Sequence, residues 1–156
     1  MFAIRRVGSP DDLAIARSLF REYAESLGSH LCFQDFEIEV ATLPGAYGPP
    51  SGALLLASRD GAAAGCVALR PLEPPAVAEL KRLYVRPSAR RAGLGEALTE
   101  AALELARTAG YDRIRLDTLP TMAAAQSLYR RLGFREVAPY RLNPLPGVLH
   151  MECGLR

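Results

Sequence analysis

Arg90-Arg91-Ala92-Gly93-Leu94-Gly95 is the stretch whose residue types and spacing most directly suggest chemistry. A strand-like run, Glu79 to Val85, precedes it, and a helical pattern opens near Gly95. Two arginines and two glycines at a strand-to-helix junction make a seat for an anion. The first turn of a helix leaves N–H donors unpaired and carries the positive end of the helix dipole. Glycine lets the main chain approach a ligand closely because no Cβ intervenes. The expected ligand bears phosphate. A surface turn that is merely rich in Gly and Arg is the competing reading of this hexapeptide alone.

Two phosphate ligands are excluded by residue type. A nucleoside-triphosphate loop needs Lys and Ser or Thr after its last glycine, and Gly95 is followed by Glu96 and Ala97. A dinucleotide fingerprint needs a third glycine three residues past the second, for close helix–strand packing, and that position is Leu98.

The elements that must hold this loop can be read from periodicity. Phe2 to Val7 reads as a strand. Ser9-Pro10-Asp11-Asp12 reads as a helix start, with Ser9 as N-cap. Leu13, Ala16, Leu19, Phe20, Tyr23, Ala24 and Leu27 continue a helical stripe that Gly28 can stop. Between Ser29 and Gly52 the pattern is irregular, with Asp35, Glu37 and Glu39 in a short helix before a Pro/Gly-rich break. Ala53–Ser58 and Ala64–Leu69 read as a hairpin across Arg59-Asp60-Gly61. Pro71, Pro74 and Pro75 mark a turn before the strand Ala78–Val85. Leu98, Ala101, Ala102, Leu105 and Ala109 form the stripe of the helix after Gly95, which Gly110 ends.

Ile114–Thr118 reads as a strand, and Met122, Ala125, Leu128, Tyr129 and Leu132 as one face of a small helix closed by Gly133. Arg135–Arg141 and Leu149–Leu155 are two last strands. The sum is an α/β chain with a mixed sheet. Along β-strand alternation, Glu79, Lys81, Leu83 and Val85 share one face.

These elements and two motifs resemble the GNAT acetyltransferase superfamily. Arg90 to Gly95 is similar to its Arg/Gln-x-x-Gly-x-Gly/Ala loop. Ala125-x-x-Leu128-Tyr129-x-x-x-Gly133-Phe134 is similar to its second signature, at the family's spacing. One departure is Met122, where many members carry Asn. The resemblance implies a mixed, mostly antiparallel sheet of six to seven strands flanked by about four helices, in one domain spanning 1–156. It implies acetyl-coenzyme A as acyl donor, seated on the loop Arg90, Arg91, Ala92, Gly93, Leu94 and Gly95 with Glu96 beside it. The pantetheine arm would run along Leu83, Tyr84 and Val85, in a gap between splayed strands Ala78–Val85 and Ile114–Thr118.

The resemblance also supplies roles. The Val85 N–H would face the thioester oxygen. Tyr129 would donate to the departing sulfur, since a phenol (pKa ~10) can hydrogen-bond a thiolate (~8.5) without full proton transfer. Alternatively, Tyr129 only packs beside Leu128 and Leu132. Glu79, six residues before Val85, would be the general base, or else a strand carboxylate paired with Lys81 or a neighbour. Arg90 and Arg91 contact phosphate or are solvated. The implied reaction moves acetyl to a primary amine of a small molecule or peptide in a ternary complex. A non-catalytic acyl-coenzyme A binding module is the alternative.

Composition narrows the partners. Hydrophobic residues at 49% and charged ones at 23% fit a globular chain. A net charge of +2 is too mild to argue for nucleic acid. No apolar run is long enough to span a membrane, and no apolar core of a secretory signal follows Met1. Cys32, Cys66 and Cys153 fit no metal or disulfide spacing and point to a reducing, cytoplasmic setting. His30 and His150 read as solvated or incidental, so no metal site is expected. Cys66 reads as core, lacking a neighbouring base to activate it. Acceptor walls are expected from 29–52 and from Tyr140 to Val148, where Tyr140 or Asn143 could reach the acceptor. A homodimer is compatible with the resemblance, and no pattern in the chain marks an interface.

Overall fold

The computed structural model describes residues 2–27, 36–141 and 145–156. β1 (Phe2–Arg6) enters α1 (Pro10–Ser26) through the expected cap, where Ser9 Oγ accepts from the Asp12 N–H at 3.1 Å. That bond satisfies one orphan donor of the first turn. The stop assigned to Gly28 lies outside the described residues, as do His30, Cys32, Asp35 and Asn143. α2 (Phe36–Ala41) is short and carries Glu37 and Glu39. β2 (Ala53–Arg59) and β3 (Ala62–Glu73) form the expected hairpin. Asp60 and Gly61 take φ of 52° and 84°, the left-handed pair that matches strand twist.

The chain continues as β4 (Val77–Val85), α3 (Leu94–Thr108), β5 (Arg113–Thr118), α4 (Ala123–Arg131), β6 (Arg135–Val137) and β7 (Leu149–Gly154). Three expectations about these elements need correction. β3 runs through Pro71 to Glu73, pairing Pro71 with Ala78, and the register slips between Pro71 and Glu73. A proline is tolerated at such an irregularity because its missing N–H costs no ladder bond there. β6 stops at Val137 instead of reaching Arg141. The buried stripe of α3 is Leu94, Leu98, Thr99, Ala102, Leu103 and Ala106, rotated away from Leu105 and the exposed Ala109.

The sheet has seven strands in the order β1-β2-β3-β4-β5-β7-β6, and only β4–β5 is parallel. This is the mixed, mostly antiparallel architecture expected. α3 covers one face, burying Leu94, Leu98 and Ala102 against Leu55, Val67, Leu80 and Leu116. α1 and α2 cover the other, burying Leu19, Phe20 and Val40 against Leu54, Leu56 and Cys66.

Two irregularities of β4 create the site. First, β4 pairs with β5 only at Val77–Arg113, Ala78–Ile114 and Glu79–Arg115. From Leu80 to Val85 the edge of β4 facing β5 has no partner strand, so the sheet splays as the sequence reading expected. Second, Cys66 pairs with Tyr84 but Ala68 with Lys81, so Arg82 and Leu83 together oppose Val67. This bulge places Arg82 at φ 61° and reverses the facing of all that follows. Leu83 and Val85 therefore pack with Ala78 and Leu80 on the α3 face. The expectation that Glu79, Lys81, Leu83 and Val85 share a face assumed unbroken alternation and is overturned.

Candidate active site

The loop between β4 and α3 begins with a short 3₁₀ turn, Pro87–Ala89. Arg91 and Gly93 then adopt φ of 67° and 78°. Left-handed residues of this kind curl successive N–H groups into an anion-binding concavity. α3 follows at once, and its first helical bond runs from the Ala97 N–H to the Gly93 carbonyl. The amides of Leu94, Gly95 and Glu96 are thus the orphan donors of the first turn. Gly93 caps the helix without a side chain, and a Cβ built there meets nothing within 4 Å. A Cβ on Gly95 would meet Leu128 Cδ2 at 3.6 Å and Val85 Cγ2 at 3.9 Å, ordinary contacts. The concavity beside these amides is therefore open, which fits a pyrophosphate.

Side chains of the loop turn to structural partners. Arg90 Nε donates to the Val85 carbonyl at 3.0 Å, Arg91 is exposed, and Glu96 lies 3.6 Å from Arg131. The Tyr84 hydroxyl and Arg86 both donate to Glu22 of α1. The Arg86 N–H donates to the Ala64 carbonyl of β3. Since N–H groups alternate sides along a strand, the Val85 N–H faces the open edge of β4.

A cavity of about 50 Å³ fills the splay between β4 and β5. Its lining residues come from both faces of the sheet. On the α1 side it is lined by Tyr23 and Lys81, and on the α4 side by Met122, Ala125 and Tyr129. Leu83, Leu116, Asp117 and Thr118 form its strand walls. Tyr129 is 7% exposed and its ring lies 5.5 Å from that of Phe134. Its hydroxyl has no hydrogen-bond partner among the described residues, and burial pushes its pKa upward. Met122, in place of the frequent Asn, accepts weakly from Thr118 Oγ1 at 3.8 Å. A larger cavity of about 310 Å³ lies apart, between the β1–α1 junction and Pro44–Pro49, with Arg6 and Tyr47 as the titratable side chains of its lining.

Glu79 is fully buried at the point where the strands part. Its carboxylate accepts from Arg70 Nε at 2.8 Å, from the Tyr140 hydroxyl at 2.6 Å and from Arg141 Nη2 at 2.6 Å. Burial pushes its pKa up, but the charges of Lys81, Arg141 and Arg70 and the Tyr140 hydrogen bond outweigh that and hold it below the ordinary value. Of the two readings of Glu79, the geometry favours the paired carboxylate, with partners other than Lys81. Arg70 and Arg141 were invisible as partners in sequence, because the contacts span nine and 62 residues. Tyr140 was singled out, and it is half-buried with its hydroxyl on Glu79.

Two further residues differ from expectation or fulfil it. His150 is 4% exposed, not solvated, and packs edge-on against Tyr140 at 5.0 Å. Cys66 is fully buried and burial lifts its thiol to about 12, so it is the inert core residue expected. Among the described residues no cluster of His, Cys, Asp and Glu could hold a metal, and no helix is long and apolar enough to cross a membrane.

An α/β sheet splayed beside a glycine-rich helix N-terminus, with a buried tyrosine lining the gap, fits an acyl-coenzyme A-dependent transferase. Comparison with known proteins agrees: a profile of the Acetyltransferase (GNAT) family matches residues 14–134. The chain is 40% identical over 154 residues to an uncharacterized N-acetyltransferase of Schizosaccharomyces pombe, covering 98% of this chain and 94% of that one. It is 37% identical over 115 residues to an aminoglycoside N(6')-acetyltransferase of Klebsiella aerogenes, covering 69% and 76%. The fold superposes with a TM-score of 0.78, at 28% identity, on an acyl-CoA N-acyltransferase candidate from Klebsiella pneumoniae, covering 100% and 99%. The chain belongs to the GNAT acetyltransferase family. By family it is an acyltransferase.

Proposed function

We propose that the protein moves an acetyl group from acetyl-coenzyme A to a primary amine of a small molecule or peptide, by direct attack in a ternary complex. The single observation that carries this reading is the cavity in the splayed sheet. Its lining residues come from both faces of the sheet, so donor and acceptor would approach from opposite sides and meet between the strands. The amides of Leu94, Gly95 and Glu96, with the curled loop before them, would hold the pyrophosphate. Arg91, exposed and without a partner among the described residues, would be a cation at that seat, while Arg90 braces the loop through Val85. The unpaired edge of β4 from Leu83 to Val85 would take the pantetheine arm as an added strand.

The Val85 N–H, facing that edge, would bind the developing oxyanion, a contact of a kind worth about 3–4 kcal/mol of barrier. Tyr129 would donate to the sulfur as the thiolate departs. A buried phenol with a raised pKa gives up its proton reluctantly but still donates a hydrogen bond, which suits stabilising a thiolate without full transfer. Glu79 would act by holding Arg70, Tyr140 and Arg141 in place on the acceptor side. An amine acceptor agrees with the relatives named N-acetyltransferases.

The test is thiol release from acetyl-coenzyme A with a panel of primary amines, amino acids and peptides. Amine-dependent release with stoichiometric N-acetylation supports the reading. Tight acetyl-coenzyme A binding without release for every member of the panel would overturn it.

A further inference from the structure

We propose that Lys81 accepts the proton of the attacking amine, an inference that rests on the acetyl-transfer reading above. The chain carries 19 Lys and Arg residues, of which 18 are arginine, so Lys81 is its only lysine. An arginine cannot release its proton in a protein, whereas a buried lysine can. Of the 19 Lys and Arg side chains, the one able to act as a base thus stands in the wall of the splay cavity.

Three observations converge on this side chain. It is 9% exposed and, among the described residues, has no hydrogen-bond or ion-pair partner. Its neighbours differ: Arg70 and Arg141 are bound to Glu79, Arg82 to Glu39 and Arg115 to Glu152. Lys81 and Tyr129 line one cavity from opposite faces of the sheet. An acyl group between them would have a base towards the acceptor side and a hydrogen-bond donor towards the departing sulfur. Finally, Glu79 is occupied by three donors and held below its ordinary pKa, and so is poorly suited to take a proton from an amine.

The groups facing Lys81 are Glu79 and Arg82 on β4, Asp117 on β5, Arg141 beyond β6, Tyr23 on α1 and Tyr129 on α4. Burial is the leading influence and lowers the ammonium to about 8; Arg82 and Arg141 act in the same direction, Glu79 and Asp117 against it. A base that titrates near the working pH is best matched to proton transfer.

The step balances as follows. The neutral amine nitrogen attacks the thioester carbonyl carbon and a C–N bond forms. A proton leaves that nitrogen for the Lys81 Nζ lone pair. The C–S bond breaks with its electron pair going to sulfur, which Tyr129 stabilises by hydrogen bonding. The proton on Nζ then passes to the thiolate, giving N-acetylated product, coenzyme A thiol and neutral lysine.

The single lysine makes the test direct. Lysine labelled with ¹³C and ¹⁵N places one side-chain signal in the whole chain, whose titration is followed by NMR. In parallel, kcat/KM for thiol release is measured against pH for wild type, Lys81→Met, Lys81→Arg and Glu79→Gln, using acetyl-coenzyme A and the amine that is turned over fastest. We expect the signal to titrate near 8 and wild-type kcat/KM to rise with the same midpoint. Both Lys81 variants should lose about a hundredfold together with that limb, while Glu79→Gln should retain a limb whose midpoint lies below that of wild type, because the Glu79 charge raises the Lys81 ammonium. Titration above 10, or a Lys81→Met profile that keeps the limb and its height, overturns the inference while leaving the acetyl-transfer reading standing. If no amine is turned over by wild type, that reading falls first and the inference with it.

Discussion

Replacing Lys81 by methionine should make the protein more stable at neutral pH, although it removes a charge that stands between two carboxylates. Lys81 has a folded-state pKa of about 8 against 10.5 for an ordinary lysine. A lowered lysine pKa means that the unfolded chain binds the proton more tightly than the folded one. Wild-type stability therefore rises as pH climbs from about 8 to 10.5 and is at its lowest below that window. At ~1.4 kcal/mol per tenfold, the depression corresponds to about 3 kcal/mol, the cost of keeping a buried ammonium charged. Methionine has a similar shape and no charge, so Lys81→Met recovers up to that amount near pH 7 and almost none above the window. In a chain of this size that is a rise of about 6–12 °C in Tm. Urea unfolding of both proteins at about pH 6.5, 8 and 10 reads it directly. A difference that does not change with pH, or a variant less stable than wild type at neutral pH, would refute the reasoning that burial dominates at this lysine.

Glu79→Gln should lower stability by about 2 kcal/mol, since it removes the charge that Arg70 and Arg141 share; their partial exposure keeps the loss below that of a fully buried pair. Glu79 has a depressed pKa, so its contribution is present above the ordinary carboxylate value and disappears as pH falls through the folded one, which acid unfolding of wild type against Glu79→Gln measures. Gly65→Ala places a Cβ 2.6 Å from the Tyr84 carbonyl; backbone must move, and a loss of about 1–3 kcal/mol is expected by urea unfolding. Gly93→Ala has space but not conformation, with φ 78°; about 1 kcal/mol of stability should be lost, along with affinity for acetyl-coenzyme A by calorimetry.

What the sequence made legible is what local chemistry determines. Ser9 and Pro10 start α1, Asp60-Gly61 turns the β2–β3 hairpin, and Gly93 and Gly95 open α3 where their spacing places them. The seven strands were legible in the apolar patterning, whereas the splay came only from the family resemblance that the two signatures carry. The bulge at Arg82 was not. One extra residue in β4 carries no local signal: Arg82 sits at φ 61° and its guanidinium makes two bonds to Glu39, 43 residues away. That single irregularity reversed the facing of Leu83 and Val85. The partners of Glu79 were hidden for the same reason: Arg70, Tyr140 and Arg141 meet it only through strand pairing and a distant segment. Lys81 stood next to Glu79 in sequence and looked like its counter-ion; burial without a partner is what sets it apart.

The account's central claim is that acyl transfer occurs in the splay between β4 and β5, with Tyr129 serving the leaving sulfur. The most direct measurement is of Tyr129→Phe, in which acetyl-coenzyme A affinity by calorimetry is compared with kcat for amine-dependent thiol release. The account predicts unchanged affinity and a kcat lowered by about a hundredfold, because the phenyl ring keeps the packing against Phe134 and loses only the free hydroxyl. Unchanged kcat, or equal losses of affinity and rate, would contradict it.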